Sequence, residues 1–222
     1  MTQIDRGTID YKSELLRKAI HLCSLSIPVI YYFITKSTAL KILIPITIVS
    51  LIIDVGRYYI PFLNRMVEKY FGFLLREHEK DSVKKNLNGA TYVFISAVVG
   101  IILLPKILFI TSFAVLIVSD IAAALFGRRF GKHKFLSKSL EGTLAFFVFG
   151  CFVVLLSPKI EYNLTEYLIG FFAVAVGAIV ENISYGWADD NLTIPLSIGF
   201  TMWGLYLIFL PKVNLFLALG SY

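Results

Sequence analysis

The fold of this 222-residue chain is decided by one stretch, Ile107-Leu-Phe-Ile-Thr-Ser-Phe-Ala-Val-Leu-Ile-Val-Ser-Asp-Ile-Ala-Ala-Ala-Leu-Phe126. A helix of ~20 mostly apolar residues crosses the ~30 Å hydrocarbon core of a bilayer. One acid, Asp120, lies near the end of the stretch. An acid inside a span costs about 2.5–3.5 kcal/mol on insertion scales, so it usually faces a cavity, a cation or a metal. We therefore expect a membrane-spanning helix with a functional Asp120, against the alternative of a structural acid paired with an arginine.

The rest of the composition agrees with a membrane protein. Hydrophobic residues make up 57% of the chain, charged residues 16%, and the mean hydropathy is +0.76. A soluble domain of this length needs far more polar surface. The sequence also has no G-x-x-x-x-G-K-[ST] motif and no kinase catalytic-loop set. These absences exclude the soluble nucleotide-binding folds that carry such motifs.

Six further apolar segments flank the first, so we predict an all-α polytopic integral membrane protein with about seven transmembrane helices. The spans are 15–33, 39–55, 90–104, 107–126, 142–156, 166–180 and 193–210. Between the second and third, residues 61–85 place apolar side chains at helical spacing among charges. This pattern predicts an amphipathic helix in the membrane interface. We expect one domain over residues 1–222.

The basic residues predict the orientation of the spans. Sixteen of the 21 Lys and Arg residues fall at the N-terminus or in segments 54–90 and 127–141. The positive-inside rule places these parts and segment 181–192 in the cytoplasm, with the C-terminus outside. Thirteen of the 15 acids fall on the same side, all but Glu161 and Glu166. Polar chemistry is therefore expected at the cytoplasmic face.

A basic segment, residues 127–141, directly follows the deciding stretch. Its cations, candidates for binding phosphate oxygens, are Arg128, Arg129, Lys132, Lys134 and Lys138. Gly127 and Gly131 permit backbone geometries that bring peptide N–H groups against a phosphate. Ser139 and Glu141 are consistent with a helix N-terminus that faces an anion. Taken alone, the segment also fits a topology signal or a contact with anionic lipid.

A third polar group is acidic. It comprises Glu181, Asn182, Asp189, Asp190 and Asn191, with no basic residue between them. Adjacent carboxylates with an amide are hard oxygen ligands that suit Mg²⁺. The alternative is a solvated helix cap, since Asp and Asn favour N-caps. With Asp120 expected at the same depth, we predict a metal site formed by Asp120, Asp189 and Asp190.

Two smaller groups complete the candidates. Arg17, Lys18 and His21 enter the membrane with the first span, either as site residues or as interface anchors. The run Arg76-Glu77-His78-Glu79 would close the site from the side or remain a solvated charge run. Asp54 and Arg57, at i and i+3, are expected to pair with each other.

These residues resemble the membrane CTP-using superfamily, which contains phosphatidate cytidylyltransferase, phytol kinase, dolichol kinase and CTP-dependent diacylglycerol kinase. The resemblance is carried by the run from Asp120 to Lys134, by Lys138-Ser139-Leu140-Glu141-Gly142 and by three flanking motifs. Those motifs are Arg17-Lys18-x-x-His21, Gly89-Ala90-Thr91 and Asp189-Asp190-Asn191-Leu192 with Pro195. In order and spacing they are similar to the polyprenol and phytol kinase branch. Near the C-terminus, cytidylyltransferases typically carry a Lys-Asp pair, a His-Gly-Gly run and a terminal Asp-Arg-x-Asp, and none of these stands in that region here.

The resemblance implies a lipid kinase that uses CTP as phosphoryl donor and Mg²⁺ as cofactor, with a membrane lipid alcohol as acceptor. The acceptor would be a polyprenol or dolichol, phytol or a similar isoprenoid, or diacylglycerol. It implies Asp120 and His21 as catalytic residues and Asp120, Asp189 and Asp190 as metal ligands. Nucleotide-binding residues would be Arg17, Lys18, Arg128, Arg129, Lys132, Lys134, Lys138, Ser139, Glu141 and Asn191. Cytidylyl transfer is the alternative within the superfamily; a non-catalytic lipid-binding or transport protein is the alternative outside it.

Expected partners are therefore the lipid bilayer, a lipid alcohol and a nucleoside triphosphate, with room for a homodimer and no role for nucleic acid. The expected location is the cell membrane, or a membrane of the endoplasmic reticulum or plastid in a eukaryote. The active site would face the cytoplasm.

Overall fold

The computed structural model describes residues 11–75, 86–184 and 189–216, and these form helices with one short hairpin. The first helices are α1 (Tyr11–Cys23), α2 (Ser26–Phe33), α3 (Lys36–Gly56) and α4 (Pro61–Phe71). Next come α5 (Gly89–Leu103), α6 (Lys106–Phe130) and the strands β1 (Lys134–Phe135) and β2 (Lys138–Ser139). The chain continues with α7 (Leu140–Leu156), α8 (Leu164–Ile183) and α9 (Asp190–Phe209).

The predicted all-α membrane fold is confirmed. Four helices are long and apolar enough to cross a membrane, namely α3, α6, α8 and α9. Helices α5 and α7 are also apolar but shorter. Many large side chains on α3 and α7 remain exposed although they are apolar, as expected for surfaces that contact lipid.

Helix α6, which contains the deciding stretch, lies at the centre of the bundle. Helices α7 and α9 pack along it, and α1 and α2 cover another side. Its core includes Phe109 and Phe113, whose stacked ring centroids lie 5.0 Å apart, and the edge of Tyr31 meets Phe109 at 5.5 Å. Because α6 is buried along most of its length, Asp120 is held inside the protein rather than toward lipid.

The first predicted span is interrupted. A turn at Ser24 and Leu25 separates α1 from α2, so residues 15–33 do not form one helix. Pro28 explains the break, because its ring cannot donate to the carbonyl of Ser24 and clashes with it. The interfacial helix is also shorter in the described part, ending at Phe71 as α4, and residues 76–85 lie outside the described residues.

The basic segment folds differently from the expected loop. Gly127 lies inside α6, so the prediction that it shapes a loop backbone is wrong. Gly131 ends α6 with an ordinary φ of −58°, but a Cβ there would lie 2.2 Å from the carbonyl oxygen of Gly127. What requires Gly127 is close packing: a Cβ there would lie 3.1 Å from Oγ of Ser139 and 3.5 Å from Cα of Gly142. The glycine therefore brings α6 against the start of α7.

The connection that remains is a two-stranded antiparallel hairpin. Lys134 pairs with Ser139 and Phe135 with Lys138. Ser139 then caps α7, its Oγ accepting from the N–H of Gly142 at 3.2 Å. This matches the predicted helix start. The hairpin thus presents Lys138 at one end of the bundle, beside the ends of α8 and α9.

Candidate active site

Asp120 meets the first helix. Its carboxylate accepts a hydrogen bond from Nζ of Lys18 at 2.5 Å, and both side chains are buried. Nε2 of His21 lies 3.6 Å from the same carboxylate oxygen. Among the described residues this buried Nε2 has no hydrogen-bond partner. One turn of α1 therefore places two basic groups on the acid of α6, as the spacing of Lys18 and His21 allows.

A second ion pair lies beside the first. Nζ of Lys138, on the hairpin, donates to Oε1 of Glu181 in the last turn of α8. The side chain of Glu181 is buried, whereas that of Lys138 is 32% exposed. Lys138 and Glu181 also interact electrostatically with Asp120 and with Asp190 at the start of α9. The hairpin, α8 and α9 thus converge on the same place as α1 and α6.

We call this group the charged cluster: Lys18, His21, Asp120, Lys138, Glu181 and Asp190. Its members come from five separate elements, and no stretch of sequence contains more than two of them. Burial opposes the charge of Lys138, but the carboxylates of Glu181 and Asp190 outweigh it and raise the pKa of the ammonium. Lys138 therefore keeps its positive charge throughout the neutral range.

The side chain of Asn182 holds the backbone of the hairpin. Asn182 is fully buried, with 0% exposed. Oδ1 accepts from the N–H groups of Ser137 at 2.8 Å and Lys138 at 3.1 Å, while Nδ2 donates to Oγ1 of Thr143 at 2.7 Å. One amide thus joins α8, the hairpin and α7. The backbone of Lys138 is therefore held by Asn182, while its ammonium is held by Glu181.

Further cations surround the cluster. Nη2 of Arg128 lies 3.2 Å from Oε2 of Glu14, a buried acid on α1. The guanidinium of Arg17 lies against Gly89, where a Cβ would come within 2.5 Å of Nη2. The same Cβ would lie 3.6 Å from Nδ2 of Asn191. Gly89 thus leaves room for the guanidinium of Arg17 beside Asn191, at the start of α5 and α9.

Asp54 and Arg57 form the predicted ion pair, with Oδ1 of Asp54 2.9 Å from Nε of Arg57. This pair anchors the start of α5. Oδ2 of Asp54 accepts from the N–H of Asn88 at 2.7 Å, and Asn88 caps α5. Arg57 donates to the carbonyl of Asn86 at 3.2 Å. The pair therefore sets the position of Gly89 from the end of α3.

Three predicted cations lie apart from the cluster. Arg129, Lys132 and Lys134 are exposed at the surface. The N–H and Nδ1 of the neighbouring His133 contact Glu141, the ring at 2.8 Å. Glu141 thus closes the hairpin from outside the cluster. The run 76–79 lies outside the described residues.

The predicted metal ligands are divided. Oδ1 of Asp189 caps α9, accepting from the N–H of Asn191 at 2.9 Å and from its Nδ2 at 2.8 Å. Asp120 and Asp190 belong to the charged cluster. In the described ranges, no group of three or more His, Cys, Asp or Glu is arranged to hold a metal. Mg²⁺ commonly uses one or two carboxylates together with substrate phosphates, so a metal that arrived with a nucleotide would need no more than two of these acids.

Sequence reasoning missed several contributors. Glu14 gave no signal, because one acid among the charges of the N-terminal segment is unremarkable. Glu181 and Asn182 were noticed as acidic-loop residues, but the structure has them in α8, where they hold Lys138 and the hairpin. Their position at the polar end of an apolar helix was the available signal.

Comparison with other proteins places the chain among relatives. An uncharacterized protein of Rickettsia prowazekii is 30% identical over 191 residues, which cover 86% of this chain and 93% of that protein. This chain belongs to the same family. No protein-family model matches the sequence, and no solved structure matches it.

This chain is also similar, at lower identity, to two proteins described as enzymes. CTP-dependent diacylglycerol kinase 1 of Schizosaccharomyces pombe is 28% identical over 160 residues, covering 64% of this chain and 70% of that protein. The protein of the same description from Saccharomyces cerevisiae is 26% identical over 217 residues, covering 86% and 72%. The family is therefore distantly related to CTP-dependent lipid kinases.

Proposed function

We propose that this protein is a CTP-dependent lipid kinase, which transfers the γ-phosphoryl group of CTP to the hydroxyl of a membrane lipid alcohol. The products would be a lipid monophosphate, CDP and a proton. One observation carries the proposal: cations and acids from α1, α6, the hairpin, α8 and α9, among them the buried Lys18, Asp120 and Glu181, meet at one end of an apolar bundle. The distant similarity to CTP-dependent diacylglycerol kinases supports the donor and the class of acceptor.

The arrangement suits phosphoryl transfer, which needs positioning and neutralisation of phosphate charge more than covalent chemistry by the protein. Lys138, Arg128 and Arg17 would bind the triphosphate, with Lys18 and Asn191 beside it. The exposed cations Arg129, Lys132 and Lys134 would attract the nucleotide from solution. Ser139 would act through the start of α7 and Glu141 through the hairpin.

Asp120 and Asp190 would hold Mg²⁺, with Asp189 at the same helix start, and the bound ion would neutralise phosphate charge. The acceptor hydroxyl would lose its proton to His21 or Asp120, which face each other in the cluster. The lipid would enter sideways from the bilayer, leaving its hydroxyl at the end of the bundle, which we assign to the cytoplasmic face.

The identity of the reaction is tested with purified protein in nanodiscs. The acceptors are diacylglycerol, a polyprenol, phytol and phosphatidate, each supplied with CTP labelled on the γ-phosphate or on the cytosine. The proposal predicts γ-label in the lipid and release of CDP. Cytosine label in lipid with pyrophosphate release would show cytidylyl transfer instead, and no transfer to any acceptor would indicate a binding or transport protein.

A further inference from the structure

Two buried acids, Glu181 inside the charged cluster and Glu14 outside it, are not used by the proposed reaction. Glu181 is 3% exposed and contacts Lys138, yet it belongs neither to the predicted metal ligands nor to the proton acceptors. Glu14 repeats the pattern with Arg128, being 1% exposed and 3.2 Å from the guanidinium. Each acid thus forms an ion pair with a cation that, in the proposed function, binds a phosphate.

We propose that Glu181 is a resident counter-ion, which holds the ammonium of Lys138 in place and is displaced from it when a triphosphate binds. This inference rests on the proposed function and adds the control of affinity at the same site. Glu14 would act in the same way on Arg128.

The physical basis is the cost of a buried charge. Glu181 is buried, and a buried carboxylate without a partner is strongly unfavourable, so the empty site keeps Lys138 and Glu181 together. A phosphate that binds Lys138 replaces Glu181 as its partner. Breaking the Lys138–Glu181 contact costs free energy, and this cost weakens the binding of the nucleotide. The carboxylate also remains close to the phosphates and repels them, as like charges do.

The neighbours of the pair favour exchange over permanent closure. Lys138 also lies in the field of Asp120 and Asp190, so its charge remains balanced if Glu181 withdraws. Its backbone is held independently by Oδ1 of Asn182 at 3.1 Å. The ammonium can therefore change its partner while the hairpin stays in place.

This role has an unusual consequence, which separates it from positioning or catalysis. Glu181→Gln removes the competing charge and should tighten binding of CTP. A residue that contacts metal, or that orients Lys138 productively, would weaken binding when changed. A matched control lies on the same helix: Glu166 is also buried, at the other end of α8, and its contacts are with neutral donors.

The experiment measures equilibrium binding of CTP with Mg²⁺ by calorimetry, in nanodiscs without a lipid acceptor. Cytidine, which has no phosphate, is the second ligand. We expect Glu181→Gln to lower the Kd for CTP by about threefold to tenfold and to leave cytidine binding unchanged. Glu166→Gln should leave both unchanged. Glu181→Asp, which keeps the charge but shortens the side chain, gives a smaller decrease and provides a second test if the first variant folds poorly.

The outcomes are distinguishable. Tighter CTP binding in the Glu181 variants alone supports the counter-ion. An equal or higher Kd in Glu181→Gln, with normal CTP binding by the wild type, overturns it and leaves the proposed function standing. Absence of CTP binding by the wild type overturns both.

Discussion

Helix α8 has a buried glutamate at each end, and the two are held by different kinds of partner. Glu166 accepts from the N–H groups of Ile160 and Glu161, each at 3.0 Å, and from Oη of Tyr206 at 2.9 Å. These donors are neutral. Glu181 contacts the ammonium of Lys138, within the field of two further acids.

The cations at the two ends differ in the same way. At the Glu166 end, Lys36, Lys106 and Lys159 donate to backbone carbonyls of neighbouring segments. Such bonds satisfy the orphan carbonyls where helices end and tie one helix to the next. At the other end, Lys18, Arg128 and Lys138 contact side-chain carboxylates. The first arrangement ties helices of the bundle together, whereas the second consists of charges that, under the proposed function, a phosphate or metal would exchange.

The strongest way to break this comparison is Asp120→Asn. We expect turnover to fall by about 1,000-fold or more, because the change removes the acid on which the cluster is centred. The measurement is γ-label transfer at saturating CTP. Ser119→Ala is the control, since the adjacent hydroxyl is buried without a hydrogen-bond partner in the described part of the chain. Full activity in Asp120→Asn would contradict the site.

The Glu166 end should show the opposite behaviour. Tyr206→Phe removes the hydroxyl that donates to Glu166, so we expect the free energy of unfolding to fall by about 1–3 kcal/mol. The rate per folded molecule should remain that of the wild type. A thermal melt and a transfer assay below the melting temperature measure the two effects. A large loss of kcat with unchanged stability would make this end functional as well.

The packing of α6 against the start of α7, beside the charged cluster, can be disturbed without changing a charged residue. A Cβ at Gly142 would lie 3.0 Å from the carbonyl oxygen of Ala123 and 3.3 Å from Cα of Gly127. Gly142→Ala should therefore push α7 from α6 and destabilise the protein by about 1 kcal/mol. Gly204→Ala is the control, because nothing lies within 4 Å of its added Cβ. Alanine should there stabilise the helix by about 0.5–1 kcal/mol. The same sign for both changes in a thermal melt would contradict the close packing.

The smallest expected effect concerns pH. Burial lowers the pKa of Lys159 from 10.5 to about 8, although Glu166 acts in the opposite direction. Between these values the unfolded chain binds more protons than the folded one, so the stability contributed by this residue rises with pH. Melting temperatures of the wild type and Lys159→Met are compared at the two ends of this window. We expect the difference, wild type minus variant, to increase toward high pH; a constant difference would contradict the shift.

Much of the fold follows from the sequence because apolar length and helix-cap residues are local signals. Ser139 before Leu140 predicted the start of α7 correctly. The break before Pro28 was also encoded locally, but it was overlooked because hydropathy alone continues through it. Gly127 was misassigned to a loop, since a glycine required for helix packing and one required for a turn look alike in sequence.

The sequence predicts several residues of the site but not which of them contact one another. Asp120, Lys18 and His21 stood out because charges are rare inside apolar runs. Their pairing joins residues 102 positions apart for Lys18 and Asp120, and such a contact depends on how the helices pack. That Lys138 rather than Lys132 contacts Glu181 likewise depends on the hairpin register.

The central claim is that the end of the bundle with the charged cluster binds a nucleotide and the other end does not. Hydrogen–deuterium exchange of the wild-type protein in nanodiscs, with and without CTP and Mg²⁺, tests it without any substitution. We predict slower exchange in the hairpin and at the start of α9, with no change at residues 157–166. Protection at 157–166, or none at the hairpin and α9 at saturating CTP, would contradict the account.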